Sequence, residues 1–232
     1  MTKPRVALRN PDERHSFVTV LLGLLLAALL AWGQPLAAQE ADYLETDGKL
    51  SYRVRAPLNY DARFAHPLLV VYAAAGASAG QTERYTNLTA GATAAGFLVA
   101  YVDHRPMSMK NVVEFGGVAR SVAKRWCVDR RRVVLTGHSD GGTVSTALAL
   151  LPETRDQVSG IAVSAAGFRK EDLQQMQCRS PIPVMIMHGA KDSLFPGWGA
   201  QAAQWWANCN RCAAPVGAPD ASGCVAYSHC AG

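Results

Sequence analysis

Hydrophobic positions in this chain fall into short continuous runs separated by stretches of helical spacing. Residues 50–55 alternate, Tyr52 and Val54 against Arg53 and Arg55, which predicts an early strand with one solvated face. Residues 68–73 (LLVVYA) and 133–135 are continuous apolar runs, as expected of buried strands of a parallel sheet, and 97–102, 161–164 and 183–187 (PVMIM) read as further strands. Between them, helical spacing runs over 81–95, through Val112, Phe115, Val118, Val122 and Trp126 with Gly116-Gly117 a weak point, over 143–151 and over 199–208. Strands alternating with helices predict an α/β fold, a mostly parallel sheet with helices on both faces. No repeat or low-complexity linker divides it, so residues 39–232 are expected to form one domain.

The candidate chemistry sits where one strand run meets one helix. Residues 137–141 read GHSDG, a G-x-S-x-G pattern between VVL and an apolar helix. A Gly/Ser loop is the plainer reading, but a sharp strand-to-helix turn would present Ser139 Oγ at the sheet edge as a nucleophile. Gly137 and Gly141, without Cβ atoms, would give that turn room, and the helix N-terminus would favour negative charge beside it.

A serine nucleophile needs a base, a carboxylate to orient the base, and donors for the oxyanion. Asp192 directly follows the PVMIM run in HGAKD, at the strand end where catalytic groups of parallel sheets gather. The alternative is a surface aspartate in a turn. The expected oxyanion donors are the N–H of Asp140 and one from Ala74 or Ala75, in the small-residue loop after LLVVYA. Losing one such donor typically costs about 2.7–4 kcal/mol of transition-state stabilisation.

Composition narrows the classes. Hydrophobic residues make up 49% of the 232 and charged residues 18%, which suits a sizeable core and argues against disorder. The net charge of +5 is mild, and no Lys/Arg stripe with interleaved aromatics points to nucleic acid. Residues 17–32 are almost wholly apolar behind a basic stretch and are followed by Gly33-Gln34-Pro35 and the small Ala37 and Ala38. That run is short for a membrane span and suits a secretory signal peptide over 1–38, giving a secreted or periplasmic product with no stable membrane insertion.

Six cysteines (Cys127, Cys178, Cys209, Cys212, Cys224, Cys230) behind an export signal predict disulfides. Cys127 and Cys178, outside the C-terminal cluster, are expected to pair, and a cross-linked hairpin is expected around Cys224 and Cys230. Zinc is the weaker alternative for the cluster; no metal and no cofactor is expected.

The chain resembles the secreted polyhydroxybutyrate-depolymerase-like and feruloyl-esterase-like branch of the α/β-hydrolases over about 51–232. The resemblance rests on CVDRRRVVLTGHSDGG (127–142), PIPVMIMHGAKDSLFP (181–196), WWANCNRC and GCVAYSHC. It implies an exported serine esterase that hydrolyses carboxylic esters, polyhydroxyalkanoate or aromatic acyl, through an acyl-enzyme on Ser139. Two departures stand out. Ala73-Ala74 replaces the family's His-Gly at the oxyanion loop, removing the glycine's access to positive φ. The family's catalytic histidine follows a final strand, whereas here the Cys-rich block is followed by Ala231-Gly232. The expectation is therefore a domain lacking its C-terminal strand, with the base beyond Gly232; His229 is the in-order candidate and His104 a lesser, out-of-order one. The rival functions are a non-catalytic hydrolase-fold binding protein, and a dienelactone-hydrolase-like or peptidase enzyme.

Overall fold

The structure, a computed structural model, describes residues 41–178, 180–215, 219–220 and 223–231; the predicted signal segment lies outside these residues. Seven strands form one sheet: β1 (Ala41–Glu45), β2 (Ser51–Arg55), β3 (His66–Tyr72), β4 (Leu98–Val102), β5 (Val128–His138), β6 (Gly160–Ser164) and β7 (Val184–Met187). Their order is β1-β2-β4-β3-β5-β6-β7. The β1–β2 and β2–β4 pairings are antiparallel, and every pairing from β4 to β7 is parallel. The apolar runs account for this arrangement, because β3 and β4 sit centrally with nearly every side chain buried.

Strand alternation divides those side chains between two faces. Leu68, Val70 and Tyr72 of β3 and Leu98, Ala100 and Val102 of β4 join one core cluster with α3 (Met109–Gly116), α4 (Val118–Ala123) and α5 (Asp140–Leu150). Val71, Val99 and Tyr101 turn the other way, toward α1 (Ala79–Thr86) and α2 (Leu88–Ala94). Helix α5 is enclosed almost all round, with every residue from Val144 to Leu150 buried, as expected of a helix wedged inside a domain rather than laid on its surface.

Several expectations need correcting. The helix predicted over 81–95 is two helices, because Asn87 takes a left-handed conformation (φ 51) between α1 and α2. Asparagine tolerates that conformation better than most residues. The β1 strand and the short helix α6 (Lys170–Gln174) were not signalled by the apolar pattern. The disulfides are Cys178–Cys209 and Cys212–Cys230, not the expected Cys127–Cys178; Cys127 and Cys224 are free. The cause is local. Cys127 is held by the connection into β3, its N–H donating to Tyr60 Oη at 3.0 Å and its carbonyl accepting from His66 N at 2.8 Å. Cys178 instead meets the end of α7 (Trp198–Cys209), where Asn210 Nδ2 donates to Ile182 O at 2.7 Å. No helix among the described residues is long and apolar enough to cross a membrane.

Candidate active site

At the C-terminal end of β5 the chain turns into α5 through Ser139, whose φ of 55° and ψ of −120° are an outlier for a residue with a side chain. The flanking glycines make the turn sterically possible. A Cβ on Gly137 would lie 2.5 Å from the Gly141 carbonyl carbon, and one on Gly141 would lie 2.1 Å from Tyr72 O. Both clashes are with backbone, so no rotamer relieves them. The Ser139 N–H donates to Ser164 O at 2.9 Å, and its carbonyl accepts from Thr143 N and Thr143 Oγ1 at 2.9 and 3.0 Å. The strained backbone is thus tied on both sides, while Ser139 Oγ has no hydrogen-bond partner among the described residues.

Beside it, β3 ends in the loop that carries Ala74 and Ala75. Ala73 N still bonds to Val102 O at 3.2 Å, and a turn closes by Ala77 N to Ala74 O at 3.0 Å. The left-handed residue of this loop is Gly76 (φ 71), so neither Ala73 nor Ala74 needs the positive φ that alanine disfavours. The N–H groups of Ala74, Ala75 and Asp140 have no partner among the described residues. Ala75 is exposed and Ala74 and Asp140 are half-buried, so these N–H groups are open to solvent and free to donate to a ligand carbonyl. A cleft of about 500 Å³ opens over this loop, bounded by Ala74, Ala75, Gln81, Tyr85, Thr86 and His138. Its α1 wall is fixed to the sheet by Arg55 Nε and Arg53 Nη1, which donate to Glu83 at 2.7 and 2.9 Å. Burial pushes the Glu83 carboxyl up, but these guanidiniums outweigh it and hold it below its usual range.

Asp192 follows β7 on the same edge of the sheet. Its Oδ1 accepts from Leu194 N and Phe195 N at 2.9 and 3.0 Å. The Phe195 N–H, then that of Leu194, and the nearby His188 and His138, lower its pKa against the opposing effect of burial. His188 supports this loop from beneath: Nε2–H donates to Phe195 O at 2.8 Å and lies 3.6 Å from Asp192 Oδ2. Nδ1 of His188 is buried without a partner among the described residues. Gly199 makes room for this ring, since a Cβ there would come within 2.3 Å of His188 Cβ.

No histidine hydrogen-bonds Ser139 Oγ among the described residues. His66 is a structural residue at the start of β3, accepting from Asp61 N and reaching Gly96 O. His138 Nδ1 is hydrogen-bonded to Ser164 Oγ at 3.1 Å, and its ring lies 5.9 Å from that of Tyr85. His104, the out-of-order candidate, has Nε2 3.2 Å from Asp140 Oδ2 instead. His229 is exposed beside the Ala213–Ser228 bridge, and Ala231 N donates to Asn210 O at 2.7 Å. Asn210 is bonded to Ile182 just before β7. That places the segment carrying His229 at the N-terminal edge of the parallel strands, opposite Ser139, which corrects its candidacy as base. Neither the His104–Asp140 bond nor the wall formed by Tyr85 is signalled by the pattern of the sequence. Among the described residues no group of three or more His, Cys, Asp and Glu is placed to hold a metal ion.

No family model matches the chain. It is 32% identical over 144 residues to NocK of Nocardia uniformis subsp. tsuyamanensis, a protein assigned as an esterase, covering 56% of this chain and 41% of that one. It is 24% identical over 211 residues to feruloyl esterase B of Piromyces equi, covering 77% and 39%. The chain thus spans about two-fifths of the length of these curated relatives. A thermophilic esterase from the Planctomycetes species Thermogutta terrifontis superposes with a TM-score of 0.56 at 17% identity, over 76% of this chain and 78% of that one. The sheet order, the strained Ser139 turn and this superposition together give the chain the α/β-hydrolase fold.

Proposed function

We propose that this protein is an exported serine esterase that cleaves carboxylic esters, polyhydroxyalkanoate or aromatic acyl, through an acyl-enzyme on Ser139. The observation that carries the reading is Ser139, held at φ 55 with Oγ unpartnered and the free N–H groups of Asp140, Ala74 and Ala75 beside it. Ser139 Oγ attacks the ester carbonyl carbon, its proton passes to a base, and the carbonyl oxygen takes the negative charge between those N–H groups. Collapse expels the alcohol, and water then releases the acid from Ser139. Asp192 is the carboxylate that orients the base. The similarity to two esterases supports the reaction class, and two disulfides together with the apolar run at 17–32 support export.

The absence of a histidine on Ser139 Oγ among the described residues favours a second reading, a hydrolase-fold protein that binds carbonyl ligands without turning them over. Without a base, oxyanion donors and binding still leave about 10³–10⁴-fold acceleration over water, so weak turnover belongs to the first reading. A fluorophosphonate probe separates the two. The esterase reading expects the wild type to be labelled, with the label lost in Ser139→Ala. Equal labelling of the variant overturns Ser139 as nucleophile, and an unlabelled wild type selects the binding protein.

A further inference from the structure

The segment that follows β4, Asp103-His104-Arg105, makes contacts that the proposed reaction does not use. Asp103 Oδ1 accepts from Ala79 N at 2.6 Å, at the start of α1. The His104 N–H donates to Ala77 O at 3.1 Å, inside the Ala74–Ala77 turn. The His104 ring reaches the other way, and because a carboxylate only accepts, its Nε2–H donates to Asp140 Oδ2 at 3.2 Å. Arg105 and Asp103 anchor the segment to the antiparallel end of the sheet. The Arg105 guanidinium donates to Gly48 O and Lys49 O, and Asp103 N donates to Ser51 O at 3.0 Å.

The two sources of oxyanion donors come from parts of the chain more than sixty residues apart: the loop after β3, and the first residue of α5. No hydrogen bond joins them directly among the described residues. His104 bonds to both, through its backbone to the Ala74–Ala77 turn and through its ring to Asp140. The His104 side chain is 17% exposed and that of Asp140 38%, so the bond is shielded on the histidine side and open to water on the carboxylate side. Asp140 also carries a carboxylate next to the N–H that must meet a developing negative charge. Left unpaired and free to rotate, that carboxylate would oppose the charge the site has to stabilise.

We infer that His104 is a positioning residue of the oxyanion site: acting through Asp140, it sets the spacing between the α5 donor and the Ala74–Ala75 donors and holds the Asp140 carboxylate aside. This rests on the esterase reading above. His104 does not touch the substrate in this role, so its loss should lower kcat and leave KM nearly unchanged.

The test uses the full chain and three variants. His104→Ala removes the donor. His104→Gln can present an amide N–H near the position of Nε2, and His104→Asn is too short to do so. The expected result is a fall of about 10–30-fold in kcat for His104→Ala and His104→Asn against p-nitrophenyl acetate, with KM within about twofold, and recovery to within about threefold in His104→Gln. Hydrogen–deuterium exchange supplies a readout free of turnover: peptides covering 74–79 and 139–142 should exchange faster in His104→Ala and be restored in His104→Gln. Unchanged kcat and exchange in His104→Ala overturn the proposal, as does an equal loss in all three variants, which would mark a merely structural ring. If the wild type is neither labelled nor active, the esterase reading fails on that ground alone, while the exchange experiment still decides whether His104 couples the two segments.

Discussion

The two edges of the parallel strands treat their polar groups in opposite ways. At the C-terminal edge, Ser139 and Ala165 hold positive φ, and the N–H groups of Ala74, Ala75 and Asp140 and the Nδ1 of His188 lack partners among the described residues. At the N-terminal edge the groups are mostly closed. His66 is bonded through both ring nitrogens, Asn210 bonds to Ile182 through both amide atoms, and Cys178–Cys209 ties α7 to the segment before β7. The exceptions are Trp126 Nε1, just before β5, and Arg155 Nη1, beside a cavity of about 270 Å³, both buried without a partner among the described residues, and Arg211 and His229, which hold positive φ. Backbone strain costs stability wherever it occurs, and an unpaired donor does so where it is buried. What distinguishes the C-terminal edge is that its free backbone N–H groups gather around one strained serine, which suits it to ligand chemistry, while the disulfide and amide bonds of the other edge supply rigidity.

Changes at the two edges should therefore fail in different ways. The largest effect is expected from Gly141→Ala, because the new Cβ would meet the Tyr72 and Ala73 carbonyls, which lead into the Ala74–Ala77 turn. Relief requires moving α5 or β3, and overpacking of this kind costs about 3 kcal/mol at the top of its usual range. A displacement of about 1 Å at the reacting groups is worth about 10²-fold in rate. We expect fluorophosphonate labelling to slow by at least about 100-fold and the urea midpoint to fall. Wild-type labelling in this variant would show that the turn has slack.

At the opposite edge, the double variant Cys178→Ser/Cys209→Ser should separate stability from chemistry. The bridge spans 31 residues, for which the chain-entropy relation gives about 3–4 kcal/mol, or a drop of roughly 7–15 °C in Tm for a domain of this size. The labelling rate of Ser139 measured well below the new Tm should change less than about twofold. A loss of labelling comparable to that of Gly141→Ala would mean that the two edges are not independent.

Legibility in the sequence follows the same division. The Ser139 turn was readable because its geometry tolerates only glycine at two fixed offsets, and the Asp192 loop because it ends an unmistakable apolar strand. The disulfide partners were not, since they depend on where α7 ends in space relative to β7, which no local pattern encodes. The His104–Asp140 bond joins residues 36 apart in neighbouring loops, and nothing in spacing or periodicity announces it. Ala73-Ala74 removes the glycine expected at the oxyanion loop, and the left-handed residue there is Gly76, which the sequence does not single out. The helix break at Asn87 was hidden because the apolar pattern continues across it.

A milder change tests how much of the C-terminal edge depends on charge. Asp192 has its pKa lowered in the folded chain, chiefly by the Phe195 N–H. A depressed carboxylate stabilises the fold above its unfolded pKa and loses that contribution as pH falls through the folded value. Asp192→Asn keeps an oxygen for Phe195 and Leu194 but never ionises. The wild type should be the more stable of the two above about pH 5, and the gap should close below about pH 4, where the unfolded carboxyl protonates. Urea midpoints at pH 7 and pH 3 check this, and a gap that widens on acidification would contradict it.

The smallest change should have the opposite sign. Gly91 lies within α2, away from both edges, and a Cβ there would meet nothing within 4 Å. Its φ is not left-handed, so alanine fits the existing backbone. Alanine also restricts the unfolded chain and favours the helix, which together are worth about 0.5–1 kcal/mol. Gly91→Ala should raise Tm by roughly 1–4 °C and leave the Ser139 labelling rate unaltered. The same substitution is thus expected to destroy the turn at position 141 and to improve the helix at 91. What separates the two sites is only what the added methyl meets: backbone carbonyls in one case and open space in the other. Destabilisation by Gly91→Ala would show that α2 does not accept the added methyl.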